Sequence, residues 1–100
     1  MTAYGEFAGG RLIFFIEGEL DDSNAAAAAE EFDKGIECRP REVVLDFSRL
    51  SFMDSTGVGM VISRYKRLKE RGVPLYVTGL CPQTEKIFRM SGLLKIIKIV

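Results

Sequence analysis

The chain has 100 residues, 47% of them hydrophobic and 28% charged, with 14 basic against 14 acidic side chains. That length builds one domain, residues 1–100, with a core of its own, and is too short for two. Zero net charge argues against a nucleic-acid binder that works by neutralising phosphates with a basic excess, and neither "LIFFI" (Leu12 to Ile16) nor the terminal "KIIKIV" approaches the roughly 20 apolar residues of a membrane span.

In chain order, Tyr4 to Ala8 and Arg11 to Glu17 read as two strands joined at Gly9-Gly10, a pair suited to a tight hairpin turn. The second, "RLIFFIE", is apolar at successive positions, which predicts cover on both faces. From Ser23 to about Glu37, Ala25, Ala28, Ala29, Phe32 and Ile36 recur at helical spacing. Asp21, Asp22 and Ser23 lie just ahead, where acids and an N-cap belong. "VVLDF", Val43 to Phe47, reads as a third strand of buried type. A helix follows the turn Asp54-Ser55-Thr56-Gly57, with Val58, Val61, Ile62, Tyr65 and Leu68 on one face. Gly72 ends it, after Lys66, Arg67, Lys69 and Arg71 complement its dipole. "VPLYV" is a fourth strand, Pro82 opens a third helix that closes at Gly92, and "LKIIKIV" is a last strand.

The order β-β-α-β-α-β-α-β places the chain in the α/β class, with a mixed, mainly parallel sheet, right-handed crossovers and one antiparallel edge. In such sheets the loops after the strands gather along one rim, the usual place for a site. Three loops qualify: Gly18 to Asp22, Ser48 to Gly57, and Thr78 to Pro82.

Side-chain chemistry narrows what that rim can do. The chain contains no His, so a serine nucleophile would have only Lys or a carboxylate as base, and a metal only carboxylates. Cys38 and Cys81 have neither CxxC nor metal spacing and read as reduced thiols. No catalytic residue, metal or cofactor is expected. Met1 is followed by small and polar residues rather than a basic and then apolar leader, so a cytoplasmic location is expected.

"LSFMDSTGVGMVISRYKRLKERG" (Leu50 to Gly72), with "EGELDDSNA" upstream and "RMSGLLKIIKI" downstream, resembles the STAS-domain anti-sigma-factor antagonists, most of all their sporulation members, which release sigma F. The resemblance runs through nearly the whole chain in matching order and implies a STAS-like fold and no enzyme activity. It implies that the unphosphorylated form binds an anti-sigma factor that is also a serine kinase, which frees the sigma factor. It further implies that phosphorylation of Ser55 inactivates the chain and that a PP2C-type phosphatase restores it. Asp21, Asp54, Ser55, Thr56 and Gly57 are carried over as partner-binding residues. The sporulation members continue past the last strand into a further helix, so the strand ending at Val100 is expected to lack that cover.

The residues themselves leave plainer readings beside these. Asp54 is an N-cap in its simplest role, with Ser55 at the first helical position and its hydroxyl outward, while β-branched Thr56 is expected to turn against neighbouring backbone. Gly57 and Gly59 clear space beside the acceptor or permit close packing. Asp21 and Asp22 are a solvated cap or a partner contact. The basic residues from Arg64 to Arg71 form a solvated face, Ala25 to Ala29 let a helix approach the sheet, and Phe52 and Met53 fill the core beneath the turn. Three functions fit: a phosphorylation-controlled antagonist, a STAS subunit of a stress-signalling or lipid-transport assembly, and a small hydrolase using Ser55.

Overall fold

The computed structural model describes all 100 residues. Strands β1 (Thr2–Ala8) and β2 (Arg11–Leu20) precede helix α1 (Ala25–Glu37), strands β3 (Glu42–Asp46) and β4 (Leu50–Met53), and helix α2 (Ser55–Glu70). Strand β5 (Leu75–Thr78), helix α3 (Pro82–Met90), a 3-10 turn (Leu93–Lys95) and strand β6 (Lys98–Ile99) complete the chain. The sheet runs β1-β2-β3-β5-β6, with β4 also on β2. Only β1 is antiparallel. At the hairpin, Gly9 and Gly10 have φ of +60° and +83°. Two consecutive left-handed residues form the turn whose twist matches that of the flanking strands.

The expected order holds with one strand added. Leu50 to Met53, assigned from the sequence to a rim loop, pairs in parallel with the far end of β2, Leu20 opposite Met53. Strand β2 spends its first half, Arg11 to Phe15, against β3 and its last residues against β4. A register shift at Gly18 and Glu19 separates the two ladders, and Gly18 has φ of +94° there. Four residues with Leu50 and Met53 buried and Ser51 and Phe52 exposed carry no period-2 pattern, so only the partner strand reveals β4.

One core cluster fills the space between sheet and helices. Leu12, Phe14 and Ile16 of β2, Val43 and Leu45 of β3, and Leu75 and Val77 of β5 alternate inward. Phe32 of α1 stacks on Phe14 with ring centroids 4.7 Å apart. Gly35 lets the helix sit this close, since a Cβ there would lie 2.8 Å from Leu12 Cδ2. The expectation that β2 is covered on both faces is corrected. Ile13 and Phe15, on the opposite face, are only half-buried, and what shields Phe15 is Tyr4 of the neighbouring strand, stacked at 4.9 Å.

Helix α2 ends as expected, with Gly72 at φ +70° and the Val73 amide donating back to Leu68 O at 2.9 Å, the hydrogen bond that closes a left-handed helix terminus. The last strand is shorter than expected. Leu93 and Ile97 are both buried, and Ile97 N–H donates to Leu93 O at 2.8 Å. That helical spacing consumes most of "LKIIKIV" and leaves two residues for β6. No helix is long and apolar enough to cross a membrane.

Candidate functional site

The added pairing of β2 with β4 builds the rim. It brings the segment after β2 beside the segment after β4, and Asp54 N–H donates to Leu20 O at 3.1 Å across the junction. Asp54 then turns the chain into α2. Its backbone is extended, with φ −106° and ψ −174°, and its Oδ1 accepts from the amides of Thr56 at 2.9 Å and Gly57 at 3.1 Å. This is the expected N-cap, supplying acceptors to amides that have no partner in the helix.

Ser55 is the first residue of α2 and is exposed. With the cap bonds going to Asp54, its hydroxyl makes no hydrogen bond within the chain. Thr56 departs from expectation: it too is exposed, and it lines a groove between α1 and α2 with Ala25, Ala29, Gly59 and Met60. A threonine hydroxyl bonds backward to a carbonyl one helical turn earlier, and at the second position of a helix that turn does not exist.

The two glycines that follow differ. Gly57 is buried, and a Cβ on it would meet Met53 Cγ at 2.7 Å and Leu20 Cδ2 at 3.1 Å, whereas one on Gly59 meets nothing within 4 Å. Gly57 is therefore a packing requirement of the junction between β2, β4 and α2. Gly59 is the residue that leaves the surface open.

Asp21 is not a helix cap. The N-cap position of α1 is Asn24, which makes no side-chain capping bond. The Asp21 carboxylate instead accepts from Ser23 N–H at 3.0 Å and from the Ser23 hydroxyl at 2.6 Å. Asn24 Oδ1 accepts from Asp21 N–H at 3.0 Å, and Asn24 Nδ2 donates to Glu19 O at 2.9 Å. The Ser23 hydroxyl and then the Ser23 amide lower the Asp21 pKa from its ordinary value of 3.8. Asp21 thus organises its own loop and keeps its charge at the rim.

The rim adds contacts that no local residue pattern announces and corrects two expectations. Gln83, on the first turn of α3, clasps the backbone of Met53: its Oε1 accepts from Met53 N–H at 3.1 Å and its Nε2 donates to Met53 O at 3.0 Å. This satisfies the outer edge of β4 as a further strand would. Phe52, expected in the core, is 38% exposed beside the acceptor turn, while Met53 is buried as expected. The Thr84 hydroxyl donates to Cys81 Sγ at 3.4 Å, and this bond, followed by one from the Thr84 amide, lowers the thiol pKa. The basic stripe of α2 is not simply solvated either. Asp33 of α1 holds Arg64 at 2.9 Å and Arg67 at 2.8 Å, tying the two helices together.

Comparison with known proteins agrees with this architecture over almost its whole length. The STAS domain family matches residues 5–100. The chain belongs to the STAS-domain family. This STAS domain is 36% identical over 91 residues to the anti-sigma F factor antagonist of Paenibacillus polymyxa, a match that spans 90% of the chain and 78% of that relative. It superimposes on the anti-sigma factor antagonist SpoIIAA in its unphosphorylated form with a TM-score of 0.85 at 26% identity, over 99% of this chain and 88% of that one. The phosphorylated form of the Bacillus cell fate determinant SpoIIAA gives a TM-score of 0.76 at 25% identity, over 99% of this chain and 91% of that one.

Proposed function

We propose that this STAS domain is an anti-sigma factor antagonist controlled by phosphorylation of Ser55. In its unmodified form it binds an anti-sigma factor that is also a serine kinase, and so frees the sigma factor. The kinase transfers the γ-phosphoryl group of ATP to Ser55 Oγ, ADP leaves, and the hydroxyl proton passes to a base of the kinase. A PP2C-type phosphatase hydrolyses the phosphoserine and restores binding. Asp21, Asp54 and Thr56 form the kinase-facing rim with Ser55, and Gly57, buried beneath them, serves partner binding by packing the turn that carries them. The partner named for the Paenibacillus relative and the two forms in which SpoIIAA is known support this reading.

The observation that carries it is the exposed Ser55 hydroxyl, free of internal hydrogen bonds, at the first position of a helix whose cap is a separate residue. An acceptor has to enter another protein's active site, and a hydroxyl engaged in capping would first have to leave its amides. Phosphorylation adds a charge of about −1.5 to −2 at a surface that docks a neutral hydroxyl. A hundredfold loss of affinity needs about 2.7 kcal/mol, well within what a misplaced dianion costs at an interface.

The test is calorimetry of the unmodified chain with its kinase in ADP, followed by ATP and mass spectrometry. Tight binding in ADP and a phosphate on Ser55 after ATP are expected. No binding with either nucleotide would defeat the proposal.

A further inference from the structure

We infer that Asp54 is a positioning residue, which holds the loop carrying Asp21 in register with Ser55 through the carboxylate oxygen that the helix cap leaves free. The inference rests on the proposed function, in which one kinase reads both segments. Its structural part stands by itself. Capping consumes only Oδ1, which takes the Thr56 and Gly57 amides. Oδ2 accepts from the backbone N–H of Asp22 at 3.2 Å. Every other hydrogen bond of residues 21–24 stays within the loop or reaches Glu19 and the first turn of α1 at Ala25 and Ala28. Apart from the backbone bond from Asp54 N–H to Leu20 O, which belongs to the end of β2 and does not involve the Asp54 side chain, the Asp22 amide is the only polar tie between residues 21–24 and the acceptor turn.

Residue chemistry explains why an acid is needed. Asn and Ser cap a helix as well as Asp does, so a cap alone does not require Asp at position 54. A carboxylate accepts on both oxygens, whereas Asn offers one oxygen and one NH2 group. In Asp54→Asn the oxygen stays with the two helix amides and the NH2 group faces the Asp22 N–H, donor against donor. The cap survives and the tie is lost. A kinase that touches Asp21 and Ser55 together then meets a loop it must order on binding, and that ordering weakens association.

Amide hydrogen exchange on the whole chain tests the tie without any partner. In Asp54→Asn the Asp22 amide is expected to exchange about tenfold faster or more, the scale of one hydrogen bond to a charged group, while the Thr56 and Gly57 amides keep their protection. Steady-state phosphorylation of Ser55, with the kinase recovered on the unmodified chain from host lysate in ADP, tests the role. KM is expected to rise about tenfold, with kcat little changed. Asp21→Asn added to Asp54→Asn should cost less than the two single effects combined, since both act through one loop. Unchanged exchange at Asp22, or faster exchange with the parent's KM, would overturn the positioning role. If the parent chain itself takes no phosphate on Ser55, the proposed function falls while the exchange result still judges the tie.

Discussion

Helices α1 and α2 both start just after the rim, and each has an aspartate ahead of it, yet the two aspartates do different things. Asp54 stands directly before Ser55, and one of its oxygens reaches two amides of the first turn. Asp21 stands four residues before Ala25, too far back to cap, and closes a turn on Ser23 instead. The start of α1 is secured by burial of Ala25, Ala28 and Ala29 and by backbone bonds to Asp21 O. The difference teaches that an acid before a helix is a cap only at one distance. A displaced acid keeps its charge available to a partner.

The comparison can be broken most decisively at the acceptor. Ser55→Ala should fold normally, bind the kinase and take no phosphate at all, read by the mass of the tryptic peptide. Ser55→Asp should bind poorly, and Thr56→Ser should remain a substrate. Phosphate on Thr56 with Ser55 unmodified would reverse the assignment.

Next in size is the packing beneath the start of α2, which rests on a buried glycine where the start of α1 rests on buried alanines. Gly57→Ala pushes a methyl group into Met53 and Leu20 and should lower stability in a urea melt by about 1–3 kcal/mol. Asp54→Ala removes the cap and should cost about 1 kcal/mol, up to about 2, whereas Asp21→Asn should change stability less and weaken kinase binding more. A larger stability loss at Asp21 than at Asp54 would contradict the distinction between the two helix starts.

Gly59→Ala, pointing into open space, should raise stability by up to about 1 kcal/mol, the helix-propensity difference between the two residues. The smallest effect is a titration. Asp21 carbonyl chemical shifts followed against pH should give a pKa below 3.8, because the Ser23 hydroxyl and amide favour the charged form. A depressed carboxylate contributes stability above its unfolded pKa and loses it as pH falls through the lower folded value. The loop contribution should therefore persist at pH 4 and disappear further into acid. An Asp21 pKa at or above 3.8 would remove the Ser23 bonds from the description.

The sequence by itself determined the features whose partners are close along the chain. The hairpin at Gly9-Gly10, the Asp54 cap with its outward Ser55, and the stop at Gly72 each depend on residues within a turn or two, and each was readable from residue type and spacing. The face of α2 was readable for the same reason, since periodicity records which side meets the core, whereas "VVLDF", read as a strand of buried type, alternates in the sheet between buried and half-buried positions. Tertiary structure alone decided β4, the Gln83 clasp on Met53, the tie from Asp22 to Asp54, and the bridge from Asp33 to Arg64 and Arg67. These partners lie 30 to 34 residues apart or, in β4, on a strand with no pattern of its own. The same process moved Phe52 out of the core, exposed Thr56 and made Gly57 a packing residue. A short polar side chain or a four-residue strand has several acceptable partners in the unfolded chain, and which one it meets is settled only when the core brings distant segments to within hydrogen-bonding distance.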